Sequence, residues 1–438
     1  MRRAWLTLCL VWLVPLSARA GNGDGVLLGN GAALSGGAVS ATVADGTATW
    51  YNPAGLASIR RGAIDVSGSI FQLRAANEPG LISSTTGASN DGGYLELLTI
   101  PSASTISRQL EPGLGIAFGI FASRFGQNTV RTGLETDSPV GSSQWTLSSS
   151  TFDATYHAGG ALGFTLSEQV RFGLSLFGVY RERSRSFQSA GAFDLGDQMS
   201  VIARGGISQV RSFGVELGLG VQWEPHPGVL IGFSGRSPGL ELLTQVRSTT
   251  TMVEAVVDPG AENRITFTPD DAEDLAPALA VLTPGRLGFA LGYRWDRGWI
   301  AAELDIQPPL EGVGVVERRF VWNLRLGARY EVDRSIGVGA GVFTDQSEQS
   351  PIQDLGQTRV DFYGVSGGVE VRTPHRLGEG ESADELVFST TIALRYAVGV
   401  GEVGGLLFDP ANGLTQQTVA VQTTIHEFGL HIGSALYF

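Results

Sequence analysis

The chain has 438 residues, 61 of them glycine, a formal net charge of −13 and one cysteine, Cys9. Its basic residues are all arginine, and only 17% of the side chains are charged. An acidic chain of this kind is a poor nucleic-acid binder, and a single cysteine rules out a disulfide framework or a cysteine-based metal site.

The elements begin with a targeting signal. Arg2-Arg3 precedes the apolar run "AWLTLCLVWLVPL", and Ala18-Arg19-Ala20 supplies the small-residue cleavage pattern. The run is too short for a membrane anchor and no stop-transfer pattern follows. Cys9 sits inside the apolar run without a lipobox. Residues 1–20 therefore read as a signal peptide, whose removal takes three arginines with it and leaves a net charge of about −16. Residues 21–61 are rich in small residues and end in "TATWYNPAGLASI", 47–59. Asn52-Pro53-Ala54-Gly55 is turn chemistry, since proline fixes φ and lacks a donor while glycine permits positive φ. Trp50, Tyr51, Leu56 and Ile59 around it need cover before any strand has begun.

From residue 62 onward the pattern is period-two alternation in segments of about ten residues. In "FVWNLRLGARY", 320–330, Phe320, Trp322, Leu324, Leu326 and Tyr330 share one face, and Asn323, Arg325 and Arg329 the other. The 299–307 and 386–398 segments alternate alike. Apolar faces end in aromatics (Trp223, Tyr293, Trp295, Tyr330, Tyr396), as membrane interfaces require, while glycine mixed with ionised groups on the other face suits a wet interior. The fold class is thus all-β, a transmembrane outer-membrane barrel of about fourteen antiparallel strands. Their ranges are 62–74, 94–107, 112–125, 150–166, 169–183, 208–224, 228–246, 284–296, 298–307, 316–331, 334–344, 358–372, 385–399 and 417–438. Short links such as "SEQ", "DRG" and "VDR" alternate with long polar ones, notably 184–207 and 247–283; the link 373–384 is longer than its side of the pattern wants. The chain ends on "HIGSALYF", in which His431, Gly433, Leu436 and Phe438 resemble the terminal-strand signal read by barrel-assembly machinery.

"GDGVLLGNGAALSGGAVSATVADGTATWYNPAGLASI" resembles the N-terminal region of the FadL family, the outer-membrane transporters of long-chain fatty acids and aromatic hydrocarbons. There, small residues lead to an acid, here Asp45, and then to an Asn-Pro-Ala turn, here Asn52-Pro53-Ala54 before Gly55. "EPHPGVLIGFSGRSP" and "LTPGRLGFALGYRWDRGWIAAELDIQ" continue the likeness more weakly. The resemblance implies a small N-terminal hatch, 21–61, plugging the lumen of a barrel, 62–438. It also implies capture between the third and fourth outer loops, an inner pocket near the N-terminus, and sideways release through a gap at a kinked strand. A carboxylate headgroup would want arginine. Arg171, Arg294, Arg325, Arg329 and Arg395 have inward parity and are the candidates, with pairing to lumen acids the commoner role for any one of them.

Other motifs carry little. "GRSPG", 235–239, has the spacing of a nucleophile elbow, but Pro238 has no N–H for an oxyanion hole. The five histidines never reach metal-ligand spacing, and "TPDDAEDLAPAL", 268–279, reads as a short loop helix capped by Thr268 and Pro269. The expectation is a monomeric, passive channel for hydrophobic small molecules in the outer membrane of a Gram-negative bacterium, surrounded by lipid and lipopolysaccharide. It is expected to have no nucleic-acid partner, cofactor, metal or enzymatic activity. The alternatives are a FadL-like barrel that scaffolds or shuttles exported proteins, and a general porin.

Overall fold

In a computed structural model of the chain, the described residues are 26–138, 141–194, 199–257, 264–276, 281–309, 318–349, 351–352, 355–377, 384–409 and 416–438. The expected signal peptide lies outside them. Alternation along 63–226 produces six consecutive antiparallel neighbours: β1 (Ala63–Ser84), β2 (Ser89–Glu111), β3 (Leu114–Ser138), β4 (Gly141–Thr165), β5 (Val170–Asp194) and β6 (Met199–His226). The lower part of β6 pairs with β7 (Val229–Arg236) and its upper part with β8 (Gly239–Val257). A hairpin strand, β9 (Arg264–Ala276), and a short piece, β10 (Val281–Thr283), both pair with β8. The second half of the wall comprises β11 (Arg286–Trp295), β12 (Gly298–Gln307), β13 (Val321–Glu331), β14 (Ile336–Asp345), β15 (Thr358–Leu377), β16 (Asp384–Phe408) and β17 (Gln416–Tyr437). β11 joins β7, and β17 returns to β1 with Ala63 opposite Tyr437. The ring is closed, so no edge is offered to lipid.

The expected count of about fourteen is corrected. Apart from the three-residue β10, fifteen segments form the barrel and one, β9, stands outside it. The cause is local: the single strand expected over 228–246 is cut at Ser237-Pro238, where proline has no N–H for the ladder. Ser237 repairs the cut, its Oγ accepting from the Leu217 N–H at 3.0 Å and its N–H donating to the Leu217 carbonyl at 2.8 Å.

Two further expectations fail. Much of the sequence assigned to long loops is strand, because β5 runs to Asp194, β6 starts at Met199, and β6 reaches 28 residues. A membrane strand needs only about 9–11 residues, so these hairpins stand well clear of the bilayer. Of the helix expected over 268–279, residues 277–279 lie outside the described ones and 268–276 are not helical: Arg264–Ala276 is extended and lies in register with 244–256 of β8. Pro269 is tolerated there because β9 is paired on one side only.

Outward positions carry Ile64, Leu97, Phe118, Leu176, Leu219, Phe289, Ile300, Leu326, Ile392 and Phe428, all exposed. Inward positions at the same height carry Asp65, Ser67, Ser175, Glu216, Glu303, Arg325, Thr391 and Glu427, all buried. Trp223, Tyr293, Trp295 and Tyr330 ring the short-link end on the outside, the interfacial belt of a barrel in lipid.

Candidate functional site

The segment 26–61 forms two short helices, α1 (Asn30–Leu34) and α2 (Ala48–Tyr51), and a 3₁₀ turn at Pro53–Ser58. The turn starts where the sequence demands it: Asn52 is extended, its Oδ1 accepts from the Ala54 N–H at 3.2 Å, and Pro53 occupies the first helical position. Asp45 does the same for the preceding turn, accepting from the Thr47 N–H at 2.8 Å and from its hydroxyl.

This segment touches strands on every side of the ring, which is possible only from within the lumen. Asn52 Nδ2 donates to the Ser40 and Val221 carbonyls at 2.9 and 3.0 Å, and Gln222 donates to the Ser40 and Val43 carbonyls. Across the barrel the Gly36 N–H donates to Ser366 Oγ at 2.9 Å. Glu303 accepts from the Val39 and Ser40 N–H groups at 3.2 and 3.0 Å, and Arg325 holds the other oxygen of Glu303 at 2.8 Å. Inward glycines make the close fit possible. A Cβ on Gly173 would come within 2.2 Å of Pro53, and one on Gly220 within 2.1 Å of Asn52. The small residues of β5 and β6 are thus the mould of the Asn-Pro-Ala turn, and Trp50, Leu56 and Ile59 find their cover in the barrel wall.

Above this segment lies an apolar cluster. Trp50 packs against Phe121 and Phe177 with ring centroids 5.5 and 5.9 Å away, and Leu28, Leu98, Ile100 and Val179 complete it. On its other side Trp50 meets charge: the Arg236 guanidinium stacks 3.4 Å from its ring centroid and donates to its carbonyl, and the His157 ring abuts it at 4.8 Å. A cavity of about 70 Å³ opens there between Trp50, His157, Glu216, Arg236 and Arg318. The packed apolar cluster and the small cavity beside it, lined by charged and hydrogen-bonding groups, match in kind the two ends of a molecule with an apolar body and one polar end.

The nest borders an irregular seam. Among the described residues the β2–β3 ladder runs from Glu111↔Leu114 only as far as Ala103↔Phe121. Beyond it, β2 presents Pro101, which has no N–H, and β3 carries a bulge against β4 between Ala122 and Arg124. The hydroxyl of the inserted residue, Ser123, lies 3.1 Å from His157 Nδ1 and donates to the Thr155 carbonyl of β4 at 3.3 Å.

All five arginine candidates contact carboxylates. Arg171 and Arg294 reach Glu224 at 3.4 and 3.1 Å near the short-link end. Arg325 bridges Glu303 and Asp305, Arg329 contacts Glu331 and Glu370, and Arg395 meets Glu427 at 2.8 Å while lying 4.7 Å over the Phe343 ring. They are spread around the ring and are not gathered at Trp50. The arginines that line the cavity at Trp50, Arg236 and Arg318, also meet carboxylates, Glu216 at 3.6 Å and Glu348 at 3.2 Å, and carry no distinguishing signal in the sequence. Arg236 also stands inward on an alternating strand, but nothing in that pattern marks it as Trp50's partner. At the C-terminus, His431 Nε2 sits 3.3 Å from Asn30 and Gly433 packs on the same side chain, while the Phe438 N–H donates to the Gly62 carbonyl at 2.9 Å. Leu436 faces outward opposite Ile64.

The geometry is that of a closed barrel whose lumen is filled by an ordered N-terminal segment. Solved structures share it. A Pseudomonas aeruginosa FadL homologue matches 96% of this chain and 99% of its own, with a TM-score of 0.55 at 12% identity. The toluene transporter TodX of P. putida matches 92% of this chain and 97% of its own (TM-score 0.55, 12% identity), and the monoaromatic hydrocarbon channel CymD matches 94% and 97% (TM-score 0.54, 13% identity). The chain therefore has the FadL-type fold. No family model and no curated protein matches its sequence.

Proposed function

We propose that the chain is an outer-membrane channel for passive uptake of hydrophobic compounds, with residues 26–61 as its hatch and the irregular β2–β3 seam as its lateral exit. The observation that carries this reading is the apolar nest around Trp50, which lies inside the barrel and borders the stretch where β3 leaves β2 beyond Phe121. Each buried CH₂ contributes about 0.8 kcal/mol, so such a nest extracts an apolar chain from water. Release into lipid through an adjoining seam then requires no passage through the polar belt. Arg236, Arg318 and His157 would receive a polar end, and an apolar body would lie against Phe121, Phe177 and Ile100. Fatty acids and alkylbenzenes both fit that division. Neighbours of the same fold whose names declare FadL kinship or monoaromatic hydrocarbon channels support the substrate class.

Uptake of labelled long-chain fatty acids and of labelled alkylbenzenes by a deletion strain, with and without the restored gene, tests the proposal. Faster accumulation of one class on restoration is expected. Equal accumulation of every hydrophobic compound would overturn it, and a large steady conductance in planar bilayers would point to a general porin instead.

A further inference from the structure

We infer that the barrel holds a second binding station for the transported molecule beneath its N-terminal segment, open toward the short-link face, and that Glu303 helps to hold the partition above it. The inference rests on the transport reading and adds a site to it. A cavity of about 390 Å³ opens under the segment, far larger than the one at Trp50 and within the range of roughly 300–1,000 Å³ usual for small-molecule sites. Its lining mixes apolar groups, Val39, Val43, Trp299 and Val387, with polar and charged ones such as Asp45, Arg61, Arg329 and Glu370. A lining that offers both kinds of contact suits a molecule with an apolar body and one polar end. Trp299, Val387 and Tyr437 stand at the short-link ends of β12, β16 and β17, so the chamber faces the side opposite the outer hairpins.

The upper and lower cavities are nearly continuous. The cavity at Trp50 shares Trp50, Arg236 and Arg286 with a small pocket of about 20 Å³ that reaches down to Ser40 and Glu303. Val39, the next residue along the chain, lines the chamber beneath. The backbone at Val39–Ser40 thus separates the two spaces. Both of its N–H groups are held by one carboxylate, Glu303, whose other oxygen is held by Arg325. Glycines flank the pinned stretch: Gly36 and Gly37 both have positive φ, at 63° and 83°, so the loop already uses conformations that other residues resist. Asn52 and Gln222 hold the Ser40 carbonyl, while Glu303 alone holds the two N–H groups, so its release frees the donor side of the partition. Glu303 is a positioning residue in this scheme and touches no ligand.

The test uses outer-membrane vesicles carrying the full chain and dodecanoic acid bearing a terminal diazirine, with adducts mapped by peptide mass after irradiation. In the wild type, adducts are expected both at Phe121 or Phe177 and within 39–47 or at Trp299. Glu303→Ala removes the acceptor for both N–H groups, and should raise the yield in the chamber several-fold relative to the upper nest. Val43→Trp and Val387→Trp fill the chamber from opposite walls; each should abolish its adducts and leave those at Phe121 intact. Adducts in the upper nest alone, or lower-chamber adducts that persist unchanged in both tryptophan variants, would overturn the second station while leaving the transport reading standing. Adducts at neither place would overturn both.

Discussion

The two halves of β4 obey opposite rules. Toward its short-link end, His157 and Gly159 point inward and Leu162 points outward. Toward its outer end, Trp145 and Leu147 point inward and are buried, while Gln144 and Thr146 point outward. Parity never changes, yet polarity does. The outward solvent is lipid for one half and water for the other, so the side that must be apolar switches. The outer half therefore builds an ordinary water-facing core, in which Trp145 stacks at 4.8 Å on Phe408 and meets Leu81, Ile82, Leu134 and Leu406. The tip of β1 even leaves β17 to pair in parallel with β16, Ile82 opposite Leu406. The reversal marks where the membrane ends more sharply than strand length does.

The largest effect that would test this contrast is Trp145→Ala. Emptying the outer core should cost it about 3–5 kcal/mol. The loss should stay above the membrane, so protease added from outside should cut the hairpins faster while the embedded wall resists as before. If the embedded wall loosens equally, the halves are one cooperative unit and the contrast is wrong.

Next in size is a pair of outward substitutions. Leu326→Arg places a charge against lipid and should cost about 2–4 kcal/mol. Thr146→Arg places the same charge against water and should stay within about 0.5 kcal/mol. Urea unfolding in lipid vesicles measures both; similar losses would place Thr146 in the bilayer.

The same reversal explains what could be read from the sequence and what could not. Alternation with an apolar outward face gave β12 to the residue, 298–307, and most embedded boundaries within a few positions. The outer extensions kept the alternation but inverted its sign and filled with Ser and Thr, so "SSQWTLSS", 142–149, falls in an expected link. Backbone pairing across a hairpin decides such stretches, and pairing partners are not visible locally. The 268–279 segment failed for that reason: its capping residues are real, yet the ladder to β8 satisfies more backbone groups than a short helix would. At the site, the Asn-Pro-Ala turn was legible because its geometry is set by its own residues. Glu303 and Arg236 were legible as inward side chains only, since their partners, Val39, Ser40 and Trp50, come from more than 180 residues away in sequence.

A third, smaller test concerns the lumen. Asn52→Ala removes both donations from Asn52 and the acceptor for Ala54, and should loosen the segment by about 1–3 kcal/mol. Its readout is the rate at which a membrane-impermeant thiol reagent reaches Val43→Cys, a buried position in a chain with no cysteine after Cys9. Asn52→Ala should speed that labelling while the barrel's urea midpoint stays near that of the parent. No change in labelling would mean that Glu303 and Gln222 hold the segment unaided.

The smallest expected change in stability belongs to Pro53→Ala, and it is the most direct test of the hatch. Pro53 has the backbone that a first helical turn requires, and Asn52 already caps that turn, so alanine can keep the conformation. The loss should stay under about 1 kcal/mol, mainly because the unfolded chain gains freedom. What alanine cannot keep is the fit: the proline ring lies against Gly220, and its carbonyl lies against Gly163 and Gly173, three positions where the wall has no side chains to close a gap. The barrel should therefore fold normally while the turn becomes mobile within its mould. If residues 26–61 act as the hatch, the rate of hydrophobic uptake should then depart from the parent's, although the ligand nest at Phe121 and Phe177 is untouched. Parental uptake in a correctly folded variant would leave the segment as a fixed filling of the lumen, and release would have to proceed without it.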